Sequence, residues 1–323
     1  MRIAFMGKGG SGKTTLAVAF TKFLLKFRPN SSVFLFDVDL NTHIPIELEI
    51  DFPFEKAFGG KFKEVVNIVE PEMNARFKLN QIPEFGTIPP NQWTKFIKLG
   101  DIPNHRFINK YGFTDNNLTV FVAGNHLTRH NHIGHSCYHD MLNAYELVIH
   151  RIIDGKNNYI IADTTAGIDN LGTSLYMAYD LVCFVIEPTE RSLDVYKKYT
   201  SIPMVDKSKV YIVVNKVEDS KDEDFIQQRV EKERIIGVFK KSESLYKHSN
   251  DKSYQSFILD HIDQFNFVLN KLDSLDKNWT QYFKLLFELF KKESSKWWSN
   301  FYKADFEKIF PEDYSFIKFY FSY

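Results

Sequence analysis

Residues 3–15 constrain the fold more than any other stretch of the chain. An apolar run, Ile3-Ala4-Phe5-Met6, leads into Gly7-Lys8-Gly9-Gly10-Ser11-Gly12-Lys13-Thr14-Thr15, and an apolar helical pattern follows through Leu25. Strand, glycine loop and helix in that order read as a phosphate-binding loop. The glycines let backbone N–H groups turn inward around phosphate oxygens, and the helix N-terminus adds partial positive charge. In this pattern Lys13 reaches the β- and γ-phosphates, and Thr14 offers its hydroxyl to Mg²⁺.

Short apolar runs alternate with longer helical patterns along the rest of the chain, the rhythm of βαβ units. Strands are expected at 3–6, 33–36, 119–123, 159–162, 181–186, 210–214 and 235–239, and helices near 14–27, 140–153, 190–201 and 223–233. Several strands are almost continuously apolar, as strands covered on both faces are. The expectation is an α/β fold with a doubly wound, mainly parallel sheet. Residues 50–118, with Pro53, Pro71, Pro83, Pro89, Pro90 and Pro103, read as an irregular insertion with short helices. Residues 240–256 turn polar and read as a linker or loose loop. Beyond them, apolar residues recur at helical spacing at Ile258, Ile262, Phe265, Leu269 and Leu272, then at Trp279, Phe283, Leu286 and Phe290. The expected division is a nucleotide domain over 1–245 and a helical, aromatic-rich extension over 246–323.

Composition narrows the classes. Lys+Arg and Asp+Glu both number 41, so no global basic field exists to hold a polyanion, and nucleic-acid binding is not expected. Two cysteines, Cys137 and Cys183, cannot build a disulfide framework. The first residues form a strand pattern in place of a secretory leader, and no run of 18 apolar residues occurs. A cytoplasmic location is the expectation.

The extra lysine, Lys8, narrows the class further. A loop of the form KGGxGKTT resembles the deviant Walker A ATPases, which include nitrogenase iron protein, MinD and ParA partition ATPases, arsenite-pump and tail-anchored-protein ATPases, and nickel-insertion ATPases. The resemblance implies an ATP-dependent homodimer in which Lys8 reaches the partner's phosphates. It also implies that Asp39 orients the attacking water and that Asp37 lies close to Mg²⁺. Asp163, ending a later strand, would hold Mg²⁺ through water, and Gly167 in the following second switch would sense the γ-phosphate. Asn215 matches the adenine-recognising Asn, with Lys216 beside it. Acids and amides at strand ends also cap helices, but together these describe one nucleotide crevice.

The segment Cys137-Tyr138-His139, followed by a helix and Asp163-Thr164-Thr165-Ala166-Gly167-Ile168-Asp169-Asn170-Leu171-Gly172, resembles the nickel-insertion ATPases of carbon monoxide dehydrogenase (CooC type). Glu187-Pro188-Thr189 with Ser192-Leu193 resembles that branch too. The likeness covers about residues 1–50 and 119–240. His139 stands where that branch has its second cysteine, and Thr165 and Asn170 replace its Glu and His. A Cys137/His139 pair from each subunit, with His135 nearby, would suit Zn²⁺ or Ni²⁺ at the dimer interface. Five of the ten histidines fall between His126 and His139. The bland alternative is a helix-capping loop and a buried thiol. Cys183, mid-strand, reads as a packed core thiol.

Three functions fit these features. The first is a metallocentre-maturation ATPase serving a client metalloenzyme. The second is a partition or positioning ATPase that switches partner or membrane binding. The third is a client-delivery ATPase. The amphipathic stripe from Trp279 to Phe290 bears on the second through membrane contact, although packing on the core is the expected role.

Overall fold

Each apolar run sends alternate side chains to opposite faces of a sheet, and helices cover both faces. The computed structural model describes residues 1–39, 41–77, 89–99, 105–124, 138–165 and 174–302, with the backbone alone for 73, 76–77, 138–140 and 291–302. The strands are β1 (Arg2–Gly7), β2 (Ser32–Val38), β3 (Ile97–Lys98), β4 (Phe113–Asp115), β5 (Leu118–Val122), β6 (Ile152–Ile153), β7 (Asn158–Thr164), β8 (Leu181–Ile186), β9 (Val210–Val217) and β10 (Ile235–Lys240). Eight form one sheet in the order β10-β9-β8-β1-β7-β2-β5-β4, parallel except for the β4–β5 pair. β3 and β6 pair separately. The helices are α1 (Lys13–Phe27), α2 (Ile44–Glu47), α3 (Phe62–Val69), α4 (Pro71–Phe77), α5 (Arg106–Tyr111), α6 (Tyr138–Ile149), α7 (Glu190–Ser201), α8 (Ser220–Gln227), α9 (Glu243–Lys247), α10 (Asp251–Asp260), α11 (Ile262–Asp273) and α12 (Trp279–Tyr302).

The two-residue period divides β1 cleanly. Ile3 and Phe5 join the layer of α1, α10 and α11, whereas Ala4 and Met6 join the layer of α3 and α6. Phe23 of α1 stacks on Phe265 of α11 with ring centroids 5.4 Å apart. Each fully buried Phe here contributes about 1.5–3 kcal/mol. Cys183 lies in the same layer, fully buried, and burial pushes its thiol pKa up. The α/β expectation therefore holds, with β1 between β7 and β8 at the centre.

Two expectations need correction. The polar stretch 240–256 is not a loose loop: α9 lies within it and α10 begins in it. Ser242 and Asn250 cap these helices, accepting from Leu245 N–H and Ser253 N–H. Their polar outer faces hide Leu245, Tyr254 and Phe257, which are buried against the core. The helix expected over 223–233 is α8, which starts earlier because Asp219 caps it through Lys221 and Asp222 N–H. It stops at Gln227, and the chain turns to set Val230 against the core before β10.

The insertion carries the expected short helices, α3, α4 and α5. Phe62, Val65, Val66 and Val69 of α3 are buried against the α6 side of the sheet. Glu70, just after α3, meets Arg151 at 2.7 Å with both side chains fully buried. Thr94 and Asn91 donate to the same carboxylate. On α12, Phe283, Leu286 and Phe290 are buried with Phe96 and Ile153, so the stripe packs inward. Among the described residues no helix is long and apolar enough to cross a membrane.

Candidate nucleotide site

The site forms where β1, β2, β7, β8 and β9 end, because a parallel sheet presents its carboxyl ends on one edge. Gly7 adopts φ 146° and Gly12 φ 92°. A Cβ on Gly7 would strike the Val185 carbonyl of β8, and one on Gly12 would strike the Asn215 side chain of β9. Glycine is thus required by close approach as well as by dihedral angle. Lys13 opens α1 and is only 7% exposed. Its ammonium is 3.4 Å from the Lys8 carbonyl. Burial lowers the Lys13 pKa, and the charges of Asp163 and Asp39 oppose that shift.

Beside the loop stands an acidic pair in register on neighbouring strands, Asp37 of β2 and Asp163 of β7. The Thr14 hydroxyl donates to Asp163 Oδ2 at 2.6 Å, while Asp163 Oδ1 is buried without a partner among the described residues. Burial pushes the Asp163 pKa up to about 7, against the Thr14 hydrogen bond and the Lys13 charge. A hard, orphaned carboxylate oxygen next to a threonine hydroxyl is a donor set that fits Mg²⁺. Asp37 is different. Its two oxygens accept from Asp39 N–H at 3.2 Å and Ile44 N–H at 3.0 Å, which fixes the turn after β2. Burial, then the Asp163 charge, raises the Asp37 pKa well above the carboxylate range. Asp39, just past β2, accepts from Asn41 N–H at 3.0 Å.

On the other side of the loop, Asn215 Nδ2 donates to the Ser11 carbonyl at 2.8 Å and the Lys216 ammonium donates to the Gly10 carbonyl. Lys216 takes φ 60°, a left-handed conformation unusual for lysine. Glu187, one residue past β8, binds Lys216 at 2.8 Å and lies 4.0 Å from the Lys8 ammonium. These residues border a cleft of about 650 Å³ that also takes in Gly12, Thr15, Pro188, Asp219, Lys240 and Tyr246. That volume suits a nucleoside next to a phosphate loop.

The structure thus gathers Gly7, Lys8, Gly9, Gly10, Ser11, Gly12, Lys13, Thr14, Thr15, Asp37, Asp39, Asp163, Asn215 and Lys216 around one edge of the sheet. Gly167, Cys137 and His135 lie outside the described residues, as does the side chain of His139. Among the described residues no group of three His, Cys, Asp or Glu is arranged to hold a metal ion. Sequence reasoning missed Glu187 as a site residue. Its place directly after a central strand was the available signal.

A glycine loop at the end of the central strand, an acid at the end of the next strand and a base-sized cleft beside them define a P-loop nucleotide-binding protein. The chain belongs to the CbiA family, described as the CobQ/CobB/MinD/ParA nucleotide binding domain, whose profile matches residues 3–254. Two relatives from Methanocaldococcus jannaschii, both described as uncharacterized ATP-binding proteins, are 24% and 25% identical over 250 and 240 residues. The first match covers 76% of this chain and 90% of the relative, the second 74% and 83%. The fold is similar to the MinD cell division protein of Aquifex aeolicus (17% identity, TM-score 0.51, 85% of this chain and 99% of that one). It is also similar to the cell division ATPase MinD of Pyrococcus furiosus (14% identity, TM-score 0.51, 83% and 98%). The deviant Walker A resemblance therefore holds at the level of this family, which is wider than the nickel-insertion branch.

Proposed function

We propose that this protein is a Mg²⁺-dependent ATPase of the MinD/ParA kind, a switch whose ATP state pairs two copies and engages a partner protein. The convergence of Lys13, Thr14 and the orphaned Asp163 oxygen at the glycine loop carries this reading. The loop N–H groups and Lys13 bind and neutralise the β- and γ-phosphates. Thr14 and Asp163 would hold Mg²⁺, which when bound supplies further charge neutralisation on those phosphates. Asp39 aligns the attacking water, and Asn215 recognises the base. Lys8 adds positive charge at the γ-phosphate of the partner copy.

Phosphate release from ATP, followed by light scattering with and without nucleotide, tests the proposal. Lys13→Ala should lose ATP binding by about 100-fold or more. Asp39→Ala should still bind ATP, hydrolyse it about 100-fold more slowly and accumulate as a dimer. Wild-type turnover by Asp39→Ala would remove its role. A wild type that neither binds nor hydrolyses ATP would sink the whole reading.

Metal delivery to a client enzyme is the second reading, favoured by the Cys137-Tyr138-His139 sequence at the head of α6. Elemental analysis of the purified protein, with and without ATP, separates the two. About one Zn²⁺ or Ni²⁺ per dimer, lost in Cys137→Ser, supports delivery. No uptake at micromolar supply leaves the partner-switching reading alone.

A further inference from the structure

Glu187 faces two lysines at once, and it holds them unequally. Lys216 is pinned: its ammonium meets Glu187 Oε1 at 2.8 Å and the Gly10 carbonyl, on a strained left-handed backbone. Lys8 is only restrained, 4.0 Å from Glu187 Oε2. The Lys8 backbone is fixed, since its carbonyl accepts from Ser11 N–H at 3.2 Å and from Lys13 Nζ at 3.4 Å. The Lys8 side chain is therefore the part able to swing. Glu187 itself is held at its root, because its N–H donates to Ser192 Oγ at 3.0 Å, at the start of α7.

A carboxylate on the rim of a triphosphate site competes for the cation that the ligand needs. We infer that Glu187 is a positioning residue that holds the Lys8 ammonium to the side of the phosphate loop, so that pairing of triphosphate-bound copies transfers Lys8 from carboxylate to the partner copy's phosphate. The inference rests on the nucleotide reading above and adds a residue that restrains the site before ligand arrives.

Titration calorimetry with a non-hydrolysable ATP analogue and Mg²⁺ tests it on wild type, Glu187→Gln, Lys8→Ala and the double variant. Gln keeps an acceptor for Lys216 and removes the charge. Glu187→Gln should bind about fivefold tighter, the size of one partly screened charge contact. That gain should vanish when Lys8 is already Ala. If Glu187 only props the loop, Glu187→Gln binds more weakly or unchanged, and the inference falls. A gain that survives Lys8→Ala also overturns it, since the charge would then act without Lys8. Glu187→Asp, which withdraws the carboxylate by one methylene, gives the same comparison should Gln disturb folding, with a smaller gain expected. Wild type that fails to bind sinks the nucleotide reading. Binding lost in Lys13→Ala but indifferent to Glu187 sinks only the role of Glu187.

Discussion

Asp163 sits in an electrostatic conflict that ligand binding would resolve. Burial keeps its proton on up to about pH 7, whereas an unfolded aspartate releases it near 3.9. Between those values the folded protein binds more protons than the unfolded one, so stability falls as pH rises through that window. Asp163→Asn removes the titration while keeping an acceptor for Thr14. The nucleotide-free variant should melt higher than wild type at pH 8, by up to about 4 kcal/mol, and the difference should close near pH 4. Adding ATP and Mg²⁺ should stabilise wild type and leave the variant nearly unchanged. Calorimetry from pH 4 to 8 checks both. A nucleotide-free Asn variant that melts below wild type at pH 8 would show that the buried charge is not in conflict.

Among the elements, the insertion is joined to the end of α6 by a buried ion pair. Glu70 follows α3, Arg151 follows α6, and neither touches solvent. Burial raises the Glu70 pKa and lowers that of Arg151, while each partner's charge opposes the shift of the other. Removing one partner leaves an uncompensated buried charge, so Glu70→Ala should cost about 3–5 kcal/mol in urea unfolding. A loss under about 1 kcal/mol, the range of an exposed pair, would mean that water reaches Arg151. This pair was invisible beforehand because Glu70 and Arg151 are 81 residues apart and look like ordinary surface charges. The central strands were legible, since continuous apolar runs have few alternatives to a two-sided sheet. So was the phosphate loop, where spacing alone encodes the chemistry. Helices α9 and α10 were not, because only a few of their residues face the core and composition averages over both faces. Their caps, Ser242 and Asn250, were the overlooked signs.

Across the whole molecule, the question is whether the helices beyond residue 245 unfold with the sheet. α10 and α11 complete the α1 face, and α12 is fastened by a buried polar chain. Ser174 Oγ donates to Glu146, so its oxygen accepts from His150 Nε2–H at 2.6 Å. Burial holds the His150 pKa well below its usual value, with Arg2 adding to the shift, so the ring is neutral. Its Nδ1 then accepts from the Tyr282 hydroxyl at 2.5 Å, and Arg2 of β1 reaches the same hydroxyl at 3.5 Å. Strand β1, helix α6 and helix α12 are thereby joined through groups that have no water to fall back on. Amides of α12 between 282 and 290 should exchange through the same opening as those of β1 and α6. Tyr282→Phe keeps the ring packing but leaves His150 Nδ1 unsatisfied, at a cost of about 1–3 kcal/mol. In that variant α12 should acquire its own, easier opening while β1 keeps most of its protection. Early, independent exchange of α12 in wild type would show that the extension is a separate unit and that the polar chain does not bind it to the sheet.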